Sequence, residues 1–182
     1  MSGYSKVPRQ LFADPDFRAL PEDSRHLYLY LLVCPHANSF GYFIVSDGYV
    51  RDDLQWEPER LAEAWGPLVQ AHLVHRDART RTVLILRALA ENAPENPSVV
   101  KGWRNLVEAL PRSPLLLTLA KQAKLYLKQP WQLEWLPKEL AETEDQEEEH
   151  AGQSKQGDIP SGGKAQDRVD PGVRLPDNLH KA

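Results

Sequence analysis

The only cysteine of the chain, Cys34, stands in the run Cys34-Pro35-His36, and two further histidines, His72 and His75, follow at three-residue spacing. A thiol with imidazoles nearby suggests a zinc site or a cysteine nucleophile. Structural zinc sites bring paired, regularly spaced ligands. Cys-x-His lacks that spacing, and His72 and His75 span a helix-to-strand transition. A nucleophilic thiol needs a base and an orienting group in a cleft, and nothing beside Cys34 specifies either. Cys34 therefore reads as a buried thiol next to a helix-ending proline. Paired carboxylates in a helical metal arrangement, a Gly-rich phosphate loop and G-x-S-x-G are all missing from the sequence. Neither an enzyme, a metal nor any other cofactor is expected.

The second chemistry is that of cations. His75, Arg76, Arg79 and Arg81 surround a predicted hairpin tip, with Asp77 as the one opposing charge. Arginines on a β tip suit insertion into a minor groove or along phosphates. On the preceding helix, expected over Glu57–Leu73, Arg60 and Gln70 are candidates for base edges. That helix also carries Glu57, Glu59 and Glu63, so packing or protein contact is its other reading. Lys101 and Arg104, then Lys121, Lys124 and Lys128, either extend the cationic surface or form a solvated helix face.

The elements that must position these residues follow from periodicity. A one- or two-turn helix is expected around Asp14-Pro15, then a longer one opened by Pro21, Glu22 and Asp23, with Leu27, Tyr28, Leu31 and Leu32 at helical spacing. Pro35 ends it. The aromatic, β-branched run from Tyr42 to Val45 reads as a strand, and a short helix capped by Ser46 or Asp47 follows. The helix over Glu57–Leu73 has Leu61, Ala64, Trp65, Leu68, Val69 and Leu73 as its apolar set, with Gly66-Pro67 expected to weaken or kink it. A hairpin with its turn at Asp77–Arg81 and a second strand at Val83–Leu86 comes next. Two more helices follow, one over Ser98–Leu110 and one opened near Pro114; the sequence suggests no partner for Trp131 or Trp135. This order predicts a mainly α fold with a small β-wing (α+β): a winged helix-turn-helix over residues 1–91, a helical extension over 92–140, and a disordered acidic and polar tail over 141–182.

The bulk numbers agree with that division. Residues 1–91 carry 10 basic and 12 acidic side chains, residues 92–130 carry 6 and 2, and residues 131–182 carry 6 and 12. A basic block before an acidic run, Glu142–Glu149, is compatible with nucleic-acid contact and an internal competitor, with a mimic of nucleic acid, or with a solubilising tail. A lone cysteine forms no internal disulfide, which suits a reducing compartment. No apolar run approaches the roughly 20 residues that cross a bilayer, and the N-terminus lacks the form of a signal peptide. A soluble cytoplasmic protein without membrane contact is expected.

The stretches "FADPDFRALPEDSRHLYLYLLVCPHAN", "GYFIVSDGYVRDDL", "LVHRDARTRTVLIL" and "NPSVVKGWRNLVEALPRSPLL" together resemble phage and prophage replication-initiation proteins. The N-terminal winged helix of that group is related to replisome organisers and DnaD-type primosome proteins. The resemblance spans residues 7–117. It implies a winged helix that binds double-stranded origin DNA, with other parts recruiting a host helicase or its loader, and it is compatible with a homo-oligomer. A winged-helix transcriptional regulator and a protein-interaction adaptor without DNA binding are the alternatives.

Overall fold

The structure, a computed structural model, describes residues 7–141. The tail expected over 141–182 lies, apart from the backbone of Ala141, outside the described residues.

A 3-10 turn at Leu11–Ala13 leads into α1 (Pro15–Ala19), whose N-terminus is capped by the Asp14 carboxylate, accepting from the Asp16 and Phe17 amides at 2.9 and 3.4 Å. Next come α2 (Glu22–Val33), β1 (Tyr42–Ile44), α3 (Asp47–Leu54) and α4 (Pro58–Gln70). The Ser46 side chain caps α3 by accepting from the Tyr49 amide, as expected. The helix expected to reach Leu73 ends three residues earlier. His72 adopts a left-handed φ of 52°, and the Leu73 amide turns back to the Leu68 carbonyl. Despite Gly66-Pro67, α4 continues to Gln70: Pro67 removes one hydrogen-bond donor, but Trp65 and Leu68 on either side of that step are buried.

The strands β2 (Val74–Asp77) and β3 (Thr82–Ile85) form the hairpin, and α5 (Ala88–Glu91), α6 (Pro97–Ala109), α7 (Leu115–Tyr126), a 3-10 turn at Pro130–Leu133 and α8 (Lys138–Ala141) complete the described residues. The sheet is antiparallel in the order β1-β3-β2, with Phe43 opposite Val83, Val74 opposite Ile85 and Asp77 opposite Thr82. The fold is thus mainly helical with a small antiparallel sheet. No helix among the described residues is long and apolar enough to cross a membrane.

Every residue of β3 is buried because it is the central strand and both sheet faces are covered. Alternation along the pleat sends Phe43, Val83, Ile85 and Val74 to a core shared with Leu27, Leu31, Leu61, Trp65 and Leu68 of α2 and α4. It sends Tyr42, Leu84 and Leu86 to a second core with Phe40, Trp103, Val107, Leu119 and Trp135. Trp135, which the sequence left without a partner, is fully buried there. Its ring lies 5.3 Å from both Phe40 and Trp103, and those two rings are 5.5 Å apart. The boundary expected at residue 91 coincides with the end of α5, and chain from both sides of it builds this second core.

Candidate nucleic-acid interface

The hairpin turn is built on Asp77. Its carboxylate accepts from the Arg79 amide at 3.0 Å and from the hydroxyls of Thr80 and Ser113 at 2.7 and 2.8 Å. These donors hold the Asp77 carboxyl below the usual carboxylate range, Thr80 foremost and Ser113 next. On the far side of the turn Arg81 takes a left-handed φ of 56°, and its carbonyl accepts from the Val45 amide at 2.9 Å. The turn is therefore tied to β1 and to the loop between α6 and α7. It presents Arg79 and Arg81 as exposed side chains, and among the described residues no carboxylate pairs with either guanidinium.

The other expected contacts divide. Arg76 is withdrawn from the surface. Its guanidinium bonds both Asp47 carboxylate oxygens at 2.7 and 2.6 Å and lies 4.6 Å from the centre of the Trp65 ring. The pleat is the reason: Arg76 shares a sheet face with Val74, two residues back, and that face packs on α3 and α4. Arg60 is engaged in the same way, bonding both Asp23 oxygens at 3.0 and 2.6 Å and stacking 4.5 Å from the Trp56 ring. Arg104 donates to the Glu134 carbonyl and so joins α6 to the segment around Trp135. In this structure each of the three arginines, expected at the nucleic-acid contact, is engaged within the chain and joins one element to another.

His75 is half-buried, and burial, with His72 adding to it, lowers its pKa below the ordinary histidine value. At neutral pH it is an uncharged ring, not a phosphate-binding cation. Gln70 is exposed at the end of α4, and Lys101 is exposed on α6. The exposed charges of α3 and α4 are mostly acidic, among them Asp52, Glu57, Glu59 and Glu63. The residue that sequence reasoning missed is Ser113. A serine between Arg112 and Pro114 carries no mark of its tie to Asp77, 36 positions away.

Cys34, His36, His72 and His75 do not converge on one point. The rings of His72 and His75 are 6.2 Å apart, His36 packs on Tyr49 at 5.0 Å, and no group of three metal-ligating side chains occurs among the described residues. Burial pushes the Cys34 thiol up, and its Sγ lies 3.9 Å from the Leu31 carbonyl oxygen, so the thiol stays protonated and acts as a small apolar side chain. It borders a cavity of about 980 Å³ at the base of the hairpin near Gly41, Leu73 and Ile85, the end of the sheet remote from the turn. Comparison with family models, with curated proteins and with solved structures gave no match to this chain.

Proposed function

We propose that the protein is a winged-helix DNA-binding protein of the replication-initiation type, contacting duplex DNA non-covalently through the tip of the β2–β3 hairpin. The observation that carries the reading is the pair Arg79 and Arg81, exposed on a turn whose backbone is fixed at both ends. A turn whose backbone is already fixed removes the backbone part of the ordering cost when its two arginines meet phosphates or a narrow minor groove. The chain order α2, β1, α3, α4, β2, β3, with strands in the order β1-β3-β2, supports reading these elements as a helix-turn-helix followed by a wing. So does the resemblance to phage and prophage replication initiators, which adds a helicase or helicase loader as the protein partner and the cytoplasm as the place of action.

The reading assigns the DNA contact to the wing rather than to α4, because a face carrying Glu57, Glu59 and Glu63 repels phosphates. The test is the retardation of a short duplex by the full chain over a series of salt concentrations. Wild-type protein is expected to bind with an affinity that falls steeply with salt. The double variant R79A/R81A is expected to lower the log–log salt slope by about 2, from the loss of two phosphate contacts. Unchanged binding by R79A/R81A overturns the wing as the contact.

A second reading, an adaptor that binds protein and not DNA, is favoured by one observation: the acidic face of α3 and α4, where a DNA reader of this topology carries cations. Absence of any retardation at low ionic strength leaves that reading in place of the first.

A further inference from the structure

We infer that the cavity at the base of the hairpin is a binding site for a small organic cation, an aromatic body that carries an amine. The site lies away from the hairpin turn and does not depend on the DNA-binding reading.

The cavity, of about 980 Å³, opens where the two halves of the molecule meet. Leu32 reaches it from α2, Leu73 and Ile85 from the base of the hairpin, and Val99 and Trp103 from α6. Leu32, Leu73 and Ile85 belong to one core and Val99 and Trp103 to the other. Together they give an apolar wall against which a ring is removed from water. The volume is that of an ordinary small-molecule site.

The charged lining is one-sided. Three carboxylates, Asp14, Glu91 and Glu95, face one guanidinium, Arg87. Arg87 is already held, by Asp14 at 2.7 Å and by Asp16 at 3.5 Å. Glu91 and Glu95 are exposed, and among the described residues no cation pairs with either. Asn92 donates its side-chain nitrogen to the Ala88 carbonyl at 3.0 Å, which leaves its side-chain oxygen as an acceptor.

Tyr28 supplies the deepest polar group. Its side chain lines the cavity at 6% exposure, yet its hydroxyl makes no hydrogen bond among the described residues. A hydroxyl so enclosed and without a partner carries a free-energy cost that a bound ligand relieves. Burial pushes its pKa up to about 12; Arg87 opposes that shift, and Asp14 and Glu91 add to it. The hydroxyl is therefore neutral and free to accept from an ammonium, in the field of the same carboxylates. A ligand ending in a carboxylate or phosphate would instead meet like charge there.

The experiment titrates the full chain by calorimetry with tryptamine and with indolepropionate, which replaces the amine by a carboxylate on the same ring. The variants are Y28F and E91Q/E95Q, each checked by its thermal melt. Wild-type protein is expected to bind tryptamine in the millimolar range or tighter and indolepropionate at least tenfold more weakly. Y28F, whose lost hydroxyl has no partner in the chain, is expected to melt like wild type and to bind tryptamine about fivefold more weakly. E91Q/E95Q is expected to weaken tryptamine by a similar factor. Equal binding of indolepropionate overturns the cationic class. Tryptamine binding that neither variant changes places it elsewhere and overturns the site, and no binding by wild type overturns the inference outright. None of these results bears on the duplex titration with R79A/R81A.

Discussion

Arg76 is held by a carboxylate and an aromatic face at once, bonded to Asp47 and stacked over Trp65. Asp47 is half exposed, so solvent screens the pair, and the two interactions together contribute about 1 kcal/mol. Arg76→Ala is therefore expected to lower the melting temperature by about 3 °C and to leave the salt dependence of DNA binding at its wild-type slope. A thermal melt and the duplex titration, run side by side, check both halves. A changed slope would return Arg76 to the contact surface. Arg60 and Arg104 belong with Arg76, since each anchors one element to another. Arg79 and Arg81 differ because a turn has no buried face to draw their side chains inward.

Among the elements, β3 governs what the others do. As the central strand it carries Val83 and Ile85 into one core and Leu84 into the other. The approach of β1 to the end of β3 depends on Gly41, which has a φ of 75° and whose amide and carbonyl bond Asn38 and Ile85. A Cβ added there would sit 2.5 Å from the Ala88 Cβ and 3.0 Å from the Ile85 carbonyl oxygen, both part of the packed structure. Gly41→Ala is expected to destabilise the protein by about 2 kcal/mol or more, from a strained backbone and a clash together. A urea titration would show this as a lower midpoint with an unchanged slope; a midpoint within error of wild type would mean that α5 shifts aside at no cost.

For the whole molecule, the two cores share one sheet, so neither half completes its own burial. A fragment of residues 1–91 would leave Phe40, Tyr42, Leu84, Leu86 and Leu89 without the α6, α7 and Trp135 side chains that cover them. Hydrophobic burial is the main term opposing chain entropy. The fragment is accordingly expected to lack a cooperative thermal transition, measured by circular dichroism beside the full chain. A sharp transition in the fragment would make residues 1–91 an independent domain. Charge is also divided at this scale, with acids exposed on α3 and α4 and the exposed arginines of the turn at the end of the sheet. A polyanion approaching this molecule meets repulsion from one side and attraction at the tip.

Local rules were enough for the order of the longer elements, while α5 and α8 were not among those expected. Apolar spacing marked α2, α4, α6 and α7, prolines and Ser46 marked their ends, and β-branched runs marked the strands. The side of the sheet that holds Arg76 was not read from the sequence, which set it at the tip with Arg79 and Arg81, although period-two alternation puts it on the face of Val74. Long-range partners were not legible. Trp135 meets Phe40, and Ser113 meets Asp77, only after the sheet has brought distant chain together. Periodicity describes which face of an element is apolar. Which arginine meets a carboxylate and which stays in water depends on what packs against that face, and that is decided by tertiary contact.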